Sequence, residues 1–334
     1  MKFVSHLQEG KEKAAVLHNG RLLNTEALNI KLPATMAEML QDWDTNLAIA
    51  KDALGAVISG DLKIEGIAFE AAQLLAPVPR PTSCRDGYAF RQHVAAARRN
   101  RGVEMIAEFD QYPIFYFTNH NAIQGPGEIE CMPDHFDKLD FELEVAVVVG
   151  KKGRNIKAEE ADDYIAGYCI MNDMSARTLQ MEEMLLNLGP AKGKDFSTVI
   201  GPWMITPDEL EAFKIPAKPN HVGNNYNLRM TCTVNGVKVS EGNVGDMDWT
   251  FAEILERCAY GVDILPGDVI GSGTVGTGCF LELNGTAKLN NPDAVPQWLQ
   301  PNDVVVLEVE QMGVLSNTIK AVDTDFSILK LKKK

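Results

Sequence analysis

The 334-residue sequence predicts an α+β fold rich in strands, with a small N-terminal accessory unit (residues 1–75) ahead of a larger strand-rich domain (residues 76–334). Three observations lead there: alternating runs that break at Asn-Gly turns, apolar runs of strand length recurring through the second part, and helical periodicity confined to a few stretches.

In chain order, "KAAVLHNGRLL" breaks at Asn19-Gly20, a pair that accepts the positive φ angles of a two-residue hairpin turn. "TMAEMLQDWDTNLAIAKDAL" repeats its apolar residues with helical spacing, and "APVPRPTSC" at 76–84, with three prolines, has linker composition. "DFELEVAVVVG" at 140–150 reads as a strand. "YIAGYCIMND" reads as a buried strand ending near Asn172, with a helix starting near Asp173 or Ser175. "NLRMTCTVNGVKVSEG" is a second hairpin, turning at Asn235-Gly236, and "TFAEILERCA" is a helix between strands. The closing "LKLKKK" reads as a solvated end.

Composition narrows the function. At 45% hydrophobic and 23% charged residues the chain is ordinary globular material, and no run approaches the ~20 apolar residues of a membrane span. "MKFVSHLQEGKEK" lacks the apolar stretch of a signal peptide, so a cytoplasmic location without membrane contact is expected. The six cysteines (84, 131, 169, 232, 258 and 279) show no C-x-x-C spacing, which argues against a thiolate metal site or a disulfide framework. A net charge of -14 disfavours nucleic acid and anionic lipid as partners. An anionic small molecule would need local positive charge.

The acids of 140–150 carry the chemistry. Asp140, Glu142 and Glu144 sit at every second position, so in a strand they share one face. A wet edge strand would account for them, but Ala146 and Val148 continue that face and would have to make it dry within two residues. Like charges on a half-buried face disfavour ionisation unless a cation compensates them, and a hard divalent ion, magnesium or calcium, suits an all-oxygen ligand set. Asp173, Arg177 and Gln180 fall at i, i+4 and i+7 of the expected helix and would face one cavity, where Asp173 adds a ligand and the other two bind a substrate carboxylate or carbonyl. Read without the acids, Asp173 is a helix cap. "LGPAKGKDFST" presents Lys192 and Lys194 on a glycine-rich loop.

"GSGTVGTG" at 271–278 contains G-x-G-x-x-G, but "CFLELNGTAKL" follows it, an alternating pattern that reads as a strand. A dinucleotide site needs a helix there, and no G-K-[ST] supports a P-loop.

Together "DFELEVAVVVG", "MNDMSARTLQ", "LGPAKGKDFST" and "GSGTVGTGCFLEL" resemble, in order and approximate spacing, the fumarylacetoacetate hydrolase family. "RDGYAFRQHVAAA" is similar to the histidine segment of its fumarylacetoacetase branch. The resemblance spans Asp86 to Glu282 and implies a β-rich mixed-sheet roll, paired as a homodimer. It implies a magnesium or calcium ion held by Asp86, Glu142, Glu144 and Asp173, with His93 as general base and Glu282 as its orienting carboxylate. Lys194, Gln180 and Arg177 would stabilise a developing enolate, and Tyr88, Tyr116, Thr198, Gly273 and Thr274 would line the substrate pocket. Two departures stand out: Met184 lies roughly where the family carries a further tyrosine, and the family's arginine after the histidine helix is displaced, with Arg98, Arg99 and Arg101 as its candidate substitutes. The activity implied is hydrolysis of a carbon-carbon bond in a small anionic 1,3-diketone acid, fumarylacetoacetate first, which would belong to tyrosine and phenylalanine breakdown. Acylpyruvate hydrolysis and oxaloacetate-type decarboxylation are the alternatives within the family, and a noncatalytic metal-binding protein is the alternative outside it.

Overall fold

The computed structural model describes residues 1–333. Its largest sheet runs, edge to edge, through Arg21–Asn24, Lys11–His18, Lys2–Gln8, Thr198–Ile205, Ile165–Asp173, Leu143–Val149, Val269–Gly271, Cys84–Gly87 and Phe115–Thr118, with short strands added at its margins. Neighbours are antiparallel except Val269–Gly271 and Cys84–Gly87, which run parallel and set Gly271 beside Asp86. A second sheet orders Val237–Asn243, Arg229–Val234, Val304–Val309, Gly313–Ala321 and Gly127–Cys131. This is the mixed, β-rich α+β fold that was expected.

The central strand Leu143–Val149 shows how the sequence makes these layers. Val145, Val147 and Val149 pack into the core shared with the second sheet, against Met230, Leu307 and Leu315. Ala146 and Val148 face the opposite core, where Phe3, Val16, Met39 and Trp43 of the N-terminal segment cover them. Both faces are dry, so the strand reads as an unbroken apolar run. Each valine so buried contributes ~1.5–3 kcal/mol. The N-terminal segment also continues the sheet by pairing, Lys2 opposite Ile205 and Phe3 opposite Met204.

Both hairpins form as expected, with Asn19 (φ 47°) and Gly20 (φ 71°) turning one and Asn235 (φ 51°) and Gly236 (φ 77°) the other. The helix Phe251–Ala259 is closed by a reciprocal cap: Glu253 N–H donates to the Thr250 hydroxyl, and the Glu253 carboxylate accepts from Thr250 N–H. The N-terminal helical stretch is two helices, Met36–Gln41 and Trp43–Ser59, parted at Asp42 (φ -137°).

Two expectations are corrected. "CFLELNGTAKL" is not a strand; Phe280–Asn290 is a helix, because the Asp140 carboxylate accepts the N–H groups of Phe280 (2.7 Å) and Leu281 (2.9 Å) and so fixes its first turn. Asp173 is not on a helix either: it ends the strand Ile165–Asp173, and the helix starts only at Arg177, leaving Arg177 and Gln180 as the pair that shares a face. Among the described residues, no helix is long and apolar enough to cross a membrane.

Candidate active site

The acids of 140–150 divide into two groups. Asp140 lies in the short strand Leu139–Asp140, ahead of the main strand, and turns away from its neighbours. Besides the two helix amides, it accepts from Arg177 Nε at 2.9 Å. Glu142 and Glu144 keep the shared face, and Asp86 from Cys84–Gly87 joins them: one oxygen from each of the three lies within 4.8 Å of the others. The alternation that put three acids on one face therefore holds for two of them.

Charge compensation is uneven. Glu142 is flanked by Lys194 Nζ and by Arg177 Nη2 (2.8 Å). Burial alone would raise its carboxyl, but these two cations hold it down at about 2. Asp86 has no such partner, and burial followed by repulsion from Asp173 pushes it up to about 7. Glu144 is raised well above the ordinary carboxylate range, by burial first and then by Asp86; the Thr274 hydroxyl donates to its Oε1 at 3.3 Å, while its Oε2 has no partner among the described residues. Buried carboxylate oxygens crowded within 4.8 Å of one another, with Glu144 Oε2 left unpaired, are what a hard divalent cation satisfies. Asp86, Glu142 and Glu144 therefore fit such an ion, through oxygen ligands alone.

Asp173 stands next to this trio. Its Oδ2 accepts from Lys194 Nζ (2.7 Å) and from the Tyr116 hydroxyl, and its Oδ1 is unpartnered among the described residues. Burial would lower the Lys194 ammonium, but Asp173 and Glu142 on either side raise it above its ordinary value, so it is a fixed positive charge.

On the opposite wall, His93 is buried in the helix Arg91–Arg99, with Nδ1 2.6 Å from Glu282 Oε2. Since a carboxylate can only accept, Nδ1 carries the hydrogen and Nε2 is left to exchange protons. Glu282 is itself anchored, accepting from Thr277 N–H at 2.9 Å. The Tyr88 ring meets the His93 ring edge-on at 5.8 Å. Burial pushes the Tyr88 phenol up to about 12, which keeps it neutral.

One cavity of about 640 Å³ joins these walls; it is lined by Asp86, Tyr88, His93, Tyr116, Glu142, Arg177, Gln180, Lys194, Gly273, Thr274 and Glu282. Glu144, Asp173 and Thr198 are buried and do not line it, Thr198 being paired with Asp173 across the sheet. Gly273 has φ +77°, and a Cβ there would stand 2.6 Å from the Gly87 carbonyl oxygen, so only glycine lets the loop pass this close to Asp86, whose Oδ1 accepts Gly273 N–H at 3.0 Å. Gln180 lines the cavity, and its Oε1 accepts from Arg177 Nη1 (3.0 Å), which leaves its amide N–H groups as the donors it can offer. Met184 lines the cavity, as does Arg101, whereas Arg99 donates to the Thr286 hydroxyl (3.0 Å).

Some lining residues carried no signal in the sequence. Trp298 reaches the cavity from a loop far along the chain, and Lys138, Leu281 and Asn284 arrive with elements whose placement only the fold reveals. Helical context after "GSGTVGTG" does exist, contrary to the expectation, yet a phosphate finds no room on that helix start: the Phe280 and Leu281 amides are already held by Asp140.

Comparison with known proteins agrees with this geometry. Residues 82–320 match the family model described as "Fumarylacetoacetate (FAA) hydrolase C-terminal". The chain is 30% identical over 311 residues to human "Oxaloacetate tautomerase FAHD2A, mitochondrial", covering 90% of this chain and 85% of the relative. Among solved structures, maleylpyruvate hydrolase from Sphingobium sp. SYK-6 in complex with manganese (II) ion and pyruvate superposes with a TM-score of 0.67 at 19% identity, covering 96% of this chain and 99% of that one. Fumarylacetoacetate hydrolase from Exiguobacterium antarcticum superposes with a TM-score of 0.64 at 24% identity, covering 96% and 100%. At such identities the two structures attest a shared fold, and the narrower likeness to fumarylacetoacetase and tyrosine breakdown finds no support in them. The match over 82–320 takes in all the residues that line the cavity, and on that ground the chain is an enzyme of the fumarylacetoacetate hydrolase family.

Proposed function

We propose that this enzyme moves a proton on the carbon beside the carbonyl of a 2-oxo acid, with keto–enol interconversion of oxaloacetate as its reaction. The carrying observation is that the His93–Glu282 pair lines the same cavity as Asp86 and Glu142, whose oxygens lie within 4.8 Å of one on the buried Glu144. The oxaloacetate tautomerase that is 30% identical over most of the chain supports the choice of substrate.

A divalent cation held by Asp86, Glu142 and Glu144 would supply Lewis-acid polarisation of the 2-oxo group. His93 Nε2 takes the proton from the adjacent carbon, and Glu282 at Nδ1 stabilises the imidazolium that results. The C–H electron pair becomes the new carbon-carbon double bond, the carbonyl π pair moves to oxygen, and that oxygen takes a proton from solvent while the His93 imidazolium returns its own to solvent, which gives the enol and restores the base. Lys194 and the Gln180 amide oppose the negative charge that builds on that oxygen. A small anionic substrate and a homodimer belong to the same proposal, the second being open to light scattering.

A second reading is carbon-carbon hydrolysis of an acylpyruvate or of fumarylacetoacetate, in which the same imidazole activates water. It is favoured by the cavity volume of about 640 Å³, more than a four-carbon acid fills. Oxaloacetate decarboxylation needs no water and is the third outcome.

Purified protein with magnesium, with calcium and after chelation should be given enol-rich oxaloacetate, an acylpyruvate and fumarylacetoacetate in ¹⁸O-water. Metal-dependent loss of enol without pyruvate or labelled acid supports tautomerisation; labelled acid indicates hydrolysis, and pyruvate from oxaloacetate indicates decarboxylation. His93→Ala should lower turnover by ~10²–10⁴ with metal affinity retained. An unchanged rate would remove His93 from the mechanism, and inertness toward every substrate would leave a noncatalytic role.

A further inference from the structure

Beside the reaction cavity lies a second one of about 270 Å³ that the chemistry above does not use. Tyr88, Arg101 and Ile114 line both, so the two meet at those residues. The smaller chamber is walled by Val94 from the face of the histidine helix adjoining His93, by Ile106, Phe109 and Tyr112 of the following segment, and by Trp249. Its polar wall groups are largely engaged or face solvent: Trp249 Nε1 donates to the Phe109 carbonyl at 2.8 Å, Arg98 donates to the Glu104 carbonyl, Arg101 donates through Nε to the Ala97 carbonyl at 3.1 Å and is exposed, and Glu108 is exposed. What it offers inward is mainly hydrocarbon and aromatic surface.

Four-carbon acids have no use for such surface. They are polar throughout, and the reaction cavity alone, at about 640 Å³, is within the ~300–1,000 Å³ that houses drug-sized ligands. A 2-oxo acid bearing an aryl or branched alkyl substituent on its reacting carbon could set its polar head by Lys194 and Gln180 and carry the substituent past Tyr88. The Tyr88 ring, edge-on to His93 at 5.8 Å, places the chamber entrance beside the imidazole that would exchange the proton. We infer that the side chamber is a binding site for the apolar substituent of a 2-oxo acid larger than oxaloacetate, and that it sets the size preference of the site. This inference rests on the 2-oxo acid reading.

The test is calorimetric binding of phenylpyruvate, pyruvate and oxaloacetate to the full-length protein, with and without magnesium, followed by turnover of the same compounds. Phenylpyruvate should bind at least about ten-fold tighter than pyruvate, equivalent to ~1.4 kcal/mol. Ile106→Trp, which fills the chamber from an exposed loop, should erase that preference and leave oxaloacetate binding unchanged. Tyr112→Ala, which removes a wall without adding bulk, should weaken phenylpyruvate alone and serves if the first variant does not fold. Equal affinities for phenylpyruvate and pyruvate in the native protein, or variants that weaken all three ligands together, would overturn the inference. Selective phenylpyruvate binding with no turnover of any compound would instead keep the chamber and discard the tautomerase reading.

Discussion

Lys194 is 3% exposed and stands between Glu142 and Asp173, so its single charge bridges two buried carboxyl groups. Lys194→Met keeps most of its volume and leaves both acids without that ammonium, a change of the kind that costs ~3–5 kcal/mol in a buried pair. Denaturant unfolding should show a loss of that order in metal-free protein; a loss below about 1 kcal/mol would mean that the ammonium is dispensable. His135 offers a separate, pH-dependent test. It is buried against Phe196 (rings 4.0 Å apart), its Nδ1 accepts Met132 N–H at 3.2 Å, and burial, with the Lys192 charge, pushes its imidazole down to about 4. The unfolded chain takes up this proton near pH 6.5 and the fold only near 4, so stability is complete above about 6.5 and is lost as pH falls between those values, by roughly 3 kcal/mol at most. His135→Phe should flatten that part of the stability profile, and an unchanged slope would assign the acid sensitivity elsewhere.

Among the elements, the helix Phe280–Asn290 joins the two halves of the site. Asp140 holds its first amides and, through Arg177, Glu142, while Glu282 on the same first turn holds His93. Asp140→Ala should therefore speed amide hydrogen exchange at residues 280–283 and lower turnover even with metal saturating; exchange unchanged there would show that the helix start needs no such cap. This helix is also where sequence reading failed, and the reason is physical. The run "CFLELNGTAKL" alternates like a strand, and the residue that settles its conformation, Asp140, lies far away in sequence. Local pattern sufficed where the determinant was local, as in the Asn-Gly hairpins or the Thr250–Glu253 cap, and the paired strand acids Glu142 and Glu144 were legible for the same reason. The motif resemblance brought Asp86, His93 and Glu282 into view, residues whose proximity no spacing could have shown. Trp298 and the chamber behind Tyr88 had neither local pattern nor motif to announce them.

For the molecule as a whole, the Asp86, Glu142 and Glu144 cluster sits where its layers converge, since the strands bearing Glu144 and Asp86 flank Val269–Gly271 in the large sheet. A cation there would stabilise the fold globally, and its removal has a pH dependence whose sign follows from Asp86. In the metal-free fold, burial and then Asp173 raise that carboxyl to about 7, so the fold keeps a proton that the unfolded chain releases near pH 4. Its contribution is thus fully present below about pH 4 and is lost as pH rises through 7, by roughly 4 kcal/mol at most. A bound cation replaces that proton and keeps the carboxylates ionised without mutual repulsion, so metal-loaded protein escapes this loss. Calorimetric scans with magnesium and with chelator should show a gap in Tm that widens from pH 6 to pH 8, together with proton release on metal binding that is greater at pH 6 than at pH 8. Should the gap be the same at both pH values, the ion does not displace the Asp86 proton, and that carboxyl is not a ligand in its ionised form.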